Sequence, residues 1–507
     1  MTQTTRRTFL GTLGSLLAFP AGADVLRGLS QEESDRLGLG RFDALAGVLQ
    51  EVPADRLQQQ LIERLRRGLA LEDLVAAACL ANARAFGGHD YEGYHCQMAL
   101  LPAFEMAREL EGEERWLPVL KVVHRQARRI EATGGRNDAL LELESTPLLS
   151  EEDVRAELQE GLRERDVARM ERAFHGRCAG SATAGLHDVQ TILRETLDVH
   201  RIVLTWRSWD ALQLTGEEHA ETLLRQSLRW FVDAEGRRVD RRRPTPPLRT
   251  LLPGLIAGAG LERGGKQDRP VGDDELGELA ATIFAADADD AAAAMADALG
   301  AGWNHEDAGE ALTLAANTLL LNDPGRASAD GSDKPRGSVH GASVGVHASD
   351  AARAWRNLAS VSDEANAAAN LIAGAYHTAG QSHRVGTAPF PYAQEMDAYE
   401  RCKPEQLVRA LRSALEQNDQ GKAAAAVASA QQKDMDPETL FAVLLNASLE
   451  ADGALHAEKY YRTVREDFAS SRPRHRWRHL IALARVAASQ VGFEAPGLRE
   501  ARETLNG

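Results

Sequence analysis

Apolar residues in this chain recur at helical spacing over most of its length. Leu71, Leu74, Val75, Ala78, Cys79 and Phe86 fall on one helical stripe. The same patterning marks 55–130, 185–232, 274–321, the stretch from 338 to about 380, and 403–492. Alanine runs are common, β-branched runs are not, and aromatics are sparse (Phe 12, Trp 7, Tyr 7). That composition argues against an all-β chain. Only Arg201 to Trp206 (RIVLTW) has strand character, and its neighbours keep the 3.6 period, so it too reads as helix. The expected fold is all-α, a duplicated helical bundle or helix-pair repeat.

With 507 residues the chain has room for two to four domains or one large duplicated one. The order expected is a signal peptide over 1–23, an N-terminal helical half over 24–235, a linker over 236–274 and a C-terminal helical half over 275–500. The linker rests on the basic, proline-rich Arg237–Pro247 (RRVDRRRPTPP). A Gly/Ser/Asp loop covers 322–338, and 381–402 reads as irregular.

The halves share a pattern. Glu72-Asp73 opens a helix through Asn82, then come Gly93-Tyr94-His95 and, 29 residues later, His124. Glu306-Asp307 opens a helix through Asn317, then come Gly345-Val346-His347 and, 30 residues later, His377. The Glu-to-His spacing differs, 23 against 41, and the 322–338 loop absorbs the excess. His200 with His219, and His456 with His475, are weaker echoes. Asn366, Asn370 and His377 share a stripe of an Ala-rich helix.

The first 23 residues resemble a twin-arginine export signal: Arg6-Arg7 with Phe9-Leu10, an apolar run to Phe19 and Ala21-Gly22-Ala23. The resemblance implies export of an already folded chain to the periplasm or another extracytoplasmic space, often with a cofactor loaded first. The apolar run is shorter than the roughly 20 residues a span needs. No other stretch is a candidate, so no integral membrane span is expected. A net charge of −16 argues against a nucleic-acid partner. Cys79, Cys96, Cys178 and Cys402 make no C-x-x-C pair, which argues against a structural zinc or iron–sulfur set.

Catalytic signatures are few. Glu92-Gly-Tyr-His95 is a single E-x-x-H, where a carboxylate-bridged di-iron bundle needs two. Asp452 and His456 have i,i+4 spacing and suit either a ligand pair or a helix cap. His475 and His479 share that spacing, but the arginines between them oppose a cation. Gly258-Ala-Gly260-Leu-Glu-Arg-Gly264 is one residue too long for a dinucleotide fingerprint and follows no strand. There is no H-E-x-x-H, G-x-S-x-G or Walker loop.

Tyr91-Glu-Gly-Tyr-His95, His200-Arg-Ile-Val-Leu-Thr-Trp206 and His340-Gly-Ala-Ser-Val-Gly-Val-His347 resemble the histidine-headed helices of the questin oxidase-like family. The resemblance implies a helical fold and oxygen-dependent chemistry on an organic molecule. Beside it, the residues themselves lead to an exported oxidoreductase with a His-rich centre between the halves. Its small-molecule substrate is left open. The candidate metal ligands are His95, His124, His347 and His377, with Glu72 and Glu306 as ligands or orienters. The cofactor expected is a transition metal, because neutral imidazole suits it. Without a metal the same imidazoles would serve as general bases. The alternative is a non-catalytic helical-repeat binding or scaffold protein, in which each histidine is satisfied where it stands.

Overall fold

The computed structural model describes residues 36–144, 149–327, 336–339, 343–386, 388–450, 455–490 and 495–507. The expected signal peptide, His340, Asp452 and the middle of the 322–338 loop lie outside them. Leu37–Gly507 forms one compact unit. The fold is all-α, with no strand among the described residues. The RIVLTW segment lies inside a helix, as its period predicts.

Twelve helices frame the centre, in four groups of three. The first group is α1 (Leu71–Phe86), α2 (Tyr91–Arg108) and α3 (Leu117–Ala132). The second is α4 (Ala182–Leu193), α5 (Val199–Asp210) and α6 (Ala220–Asp240). The third is α7 (His305–Asn322), α8 (Val344–Ser360) and α9 (Glu364–Ala379). The fourth is α10 (Pro437–Glu450), α11 (His456–Ser470) and α12 (Trp477–Ala488). Within each group every helix packs on the other two. The middle helices then close a ring: α2 on α5, α5 on α8, α8 on α11, and α11 back on α2.

Local chemistry fixes where the middle helices begin. The Asp90 carboxylate accepts the Gly93 N–H at 2.8 Å to start α2. Asp198 accepts the His200 N–H at 2.9 Å to start α5, and Ser343 Oγ accepts from Val346 at 3.4 Å to start α8. Each cap satisfies a backbone donor that the first turn leaves open. Helix α11 instead follows Leu455, which sits in the left-handed region at φ 62°.

The glycines of the two Gly-x-His segments explain their presence by contact. A Cβ on Gly93 would lie 2.6 Å from the Phe86 ring on α1. A Cβ on Gly345 would lie 2.5 Å from Leu320 Cα on α7. Both glycines let a middle helix approach its predecessor more closely than any side chain permits. Farther along the bundle a buried ionic network ties three middle helices together. Arg462 reaches Asp210 at 2.8 Å and Glu466 at 2.6 Å, Arg353 reaches Glu466 at 3.0 Å, and Arg207 reaches Asp210 at 3.1 Å. Thr463 Oγ1 donates to Asp350 at 2.9 Å.

Two stretches differ from the sequence expectation. Helix α6 runs on to Asp240, and Leu248–Gly258 is a further helix, so the 236–274 stretch holds helix between its loops at 241–247 and 259–272. The basic run had concealed this, because arginines at a helix C-terminus satisfy its last carbonyls and its dipole. The 381–402 stretch holds a short helix at Ala393–Tyr399.

Candidate functional site

The four middle helices bring four imidazoles together. His95 is the fifth residue of α2, His200 the second of α5, His347 the fourth of α8 and His456 the first of α11. Ring centroids lie 5.0 Å apart for His95–His200, 5.7 Å for His200–His347, 5.5 Å for His347–His456 and 5.4 Å for His456–His95. The result is a closed square in which His95 and His347 face one another across the centre. His95 and His456 are buried, while His200 and His347 are half-buried.

Two of the imidazoles are held through Nδ1. His95 Nδ1 lies 2.7 Å from the Tyr91 carbonyl oxygen, a contact that requires the proton on Nδ1. His200 Nδ1 lies 3.0 Å from Asp198 Oδ1. Both contacts leave Nε2 as the lone-pair nitrogen, the way metal-ligating histidines are oriented by a carbonyl or carboxylate behind them. His95 Nε2 is buried and has no hydrogen-bond partner.

Electrostatics keeps His95 neutral. Burial drives the His95 imidazolium far below the ordinary histidine range, and the nearby Lys459 ammonium and His200 add to the effect. Burial opposes the charge of Asp198, but hydrogen bonds from His200 outweigh it and hold that carboxylate well below its usual range. The helix N-termini carry partial positive charge into the same space. Neutral imidazole is the form that offers a lone pair to a metal ion.

Aromatic side chains wall the ring. Tyr91 is 61% exposed, and its ring lies 4.3 Å from that of His95 with 39° between the planes. Tyr94 lies 4.9 Å from His95 and 5.6 Å from His200. Trp230 of α6 stands 5.5 Å from Tyr94 and nearly parallel to His200, 17° between planes at 6.4 Å.

Of the residues singled out from sequence, His95 and His347 reach this centre and four do not. His124 lies mid-helix on α3 and lines a separate cavity of about 260 Å³ with Glu92, Lys121 and Arg128. His377, near the end of α9, accepts from the Trp355 indole N–H at 3.4 Å, and burial lowers it to about 4. Asp198 acts on His377 electrostatically, but among the described residues no ring contact joins His377 to the square, and its companions Asn366 and Asn370 bind Arg194 at 3.0 and 2.9 Å. Glu72 and Glu306 are exposed in first turns, where carboxylates complement the helix dipole. Glu306 pairs there with Arg356 at 3.1 Å. The physical reason is shared: only the middle helix of each group starts at the centre.

His200 and His456 complete the square; the sequence marks both as weaker echoes, His200 also as the head of a family-like segment and His456 as half of an i,i+4 pair, but neither as a ligand of the centre. A signal for His200 exists. His95, His200 and His347 each follow a capping Asp or Ser by two to five residues.

For imidazoles around one ion, ligand distances of about 2.0–2.1 Å would put ring centroids roughly 5 Å apart. The observed 5.0–5.7 Å lies at that spacing or up to about 0.7 Å above it. Yet among the described residues no group of three or more His, Cys, Asp or Glu has its donor atoms set for a metal ion. Ligation would need the rings to turn inward. Comparison with protein-family models, with curated proteins and with solved structures finds no significant match to this chain.

Proposed function

We propose that the chain is an exported oxidoreductase acting on a small organic molecule at the four-histidine centre, with a transition metal as the group the imidazoles would hold. One observation carries this reading: His95, His200, His347 and His456 meet although they are spread over 361 positions of the sequence. Four imidazoles on four separate helices have no packing reason to converge, because buried polar groups cost stability unless partnered.

Within the proposal the residues divide the work. Asp198 and the Tyr91 carbonyl hold two imidazoles as Nδ1–H tautomers, with Nε2 available to a ligand. Burial keeps His95 neutral, which suits a ligand and makes it a poor general base at neutral pH. Tyr94 and Trp230, both buried, restrict water, and the exposed Tyr91 adds a flat face to a substrate. When bound, a metal would supply electron transfer or Lewis acidity that no side chain here provides. The twin-arginine resemblance supports the reading, since that route carries folded chains with cofactors in place. The questin oxidase-like resemblance lends the same support to oxidative chemistry. The scaffold alternative expects isolated, individually satisfied histidines, and the square argues against it.

Cobalt(II) titration tests the proposal. It should produce ligand-field absorption that His200→Ala and His456→Ala each remove while helicity is retained. Absorption that survives both substitutions, or never develops in the wild-type chain, defeats it.

A further inference from the structure

A cavity of about 380 Å³ opens beside the histidine square and shares its walls. Asp198, which holds His200, and Trp230, which stands parallel to His200, both line it. So do Arg201, Arg237, Arg241 and Arg243, in a chain whose net charge is −16. Three of these arginines have an ordinary explanation. They lie in and just beyond the last turn of α6, where cations complement exposed carbonyls.

Arg201 stands apart from them on α5, with its guanidinium over the Phe231 ring at 5.0 Å. It is 0% exposed, and its Nη2 donates to the Phe231 carbonyl oxygen at 2.8 Å. Its Nε and Nη1 have no hydrogen-bond partner, and neither has the indole Nε1 of Trp230, itself buried. A buried cation without a counter-ion on its free donors is costly. An acceptor-rich anion in the cavity that both residues line would offer these donors a partner. Arg237 stacks its guanidinium on Trp230 at 4.5 Å and carries a second positive charge at the rim. Leu197 and Ala234 supply apolar surface between the charges.

We infer that this cavity binds the carboxylate of a flat aromatic acid, with Arg201 and Trp230 as donors, and presents the ring system toward the histidine square. The cavity lies within the roughly 300–1,000 Å³ range of small-molecule sites. Calling that acid the substrate rests on the function proposed above; the anion site itself does not.

Calorimetry on the full chain tests the inference, with 2-naphthoate as probe and 2-naphthalenemethanol as its neutral counterpart. The carboxylate should bind and the alcohol should bind at least about tenfold more weakly, since a charge-assisted hydrogen bond contributes about 1.5–3 kcal/mol. Arg237→Gln, at an exposed position, should weaken 2-naphthoate several-fold without disturbing the fold. Arg201→Met, which keeps an apolar stem in the buried slot, should weaken it tenfold or more. Equal affinity for acid and alcohol, or acid binding indifferent to Arg237→Gln, overturns the anion site. His95→Ala separates the two readings. If 2-naphthoate binding survives it while the wild-type chain takes up no metal, the cavity stands and the proposed function falls. A metal-binding wild-type chain that ignores 2-naphthoate has the opposite meaning.

Discussion

Replacing Gly345 by alanine should destabilise the protein, although the same change usually strengthens a helix. The added Cβ would sit 2.5 Å from Leu320 Cα, where ordinary contacts are 3.4–4 Å. Leu320 Cα is backbone inside α7 and cannot rotate aside, so α8 must retreat by about 1 Å. Overpacking of this kind costs about 1–3 kcal/mol. Alanine returns at most about 1 kcal/mol of helix propensity, and less in a first turn, so a net loss of about 1–2 kcal/mol is expected. Gly277→Ala provides the control. Gly277 lies within the Asp273–Ala285 helix with nothing within 4 Å of the new Cβ, and it should gain about 0.5–1 kcal/mol. Urea unfolding followed by far-UV circular dichroism reads both signs as midpoint shifts at constant slope. A retreat of α8 also carries His347 outward, and misplacement by 1 Å can cost a site about a hundredfold. Equal stabilisation by the two substitutions would refute the close α7–α8 approach.

Asp198→Asn keeps an oxygen to cap α5 but loses the charge behind His200; metal affinity should fall about 10–100-fold with little loss of stability. Asp198→Ala should cost about 1 kcal/mol more in unfolding assays, through the lost cap. Burial opposes ionisation of Glu235, yet Arg238 and Arg249 lower its carboxyl to about 2. Its stabilisation is therefore complete above the unfolded-state pKa near 4.5 and is lost as pH falls toward about 2, by at most about 3 kcal/mol. Unfolding curves of Glu235→Gln should lack that acid limb; an unchanged limb contradicts the assignment. Changing Arg6 and Arg7 together to lysine should leave uncleaved precursor inside the cell, and normal processing after Ala23 would defeat the twin-arginine reading.

Helix content and most helix positions were legible because apolar period and capping residues act locally. The Glu72 and Glu306 markers correctly announced helix starts, but exposure, which sequence does not encode for a first-turn carboxylate, removes them from the centre. His95 and His347 were found through the Gly-x-His repetition, whose glycines answer to helix contacts at Phe86 and Leu320. His200 and His456 lack that glycine, since α5 and α11 do not approach their predecessors in the same way. His124 and His377 matched in spacing but stand on outer helices, and which helix of a group points inward is a tertiary fact. The basic 237–243 run read as linker because charge density masks a helix end.

Elemental analysis of the full chain, purified after export from a cell that processes it, tests the central claim most directly. The account predicts about one equivalent of a transition metal per chain, retained through gel filtration and lost in both His95→Ala and His456→Ala. A correctly folded wild-type chain with no metal above background would contradict it, as would metal that persists unchanged in both variants.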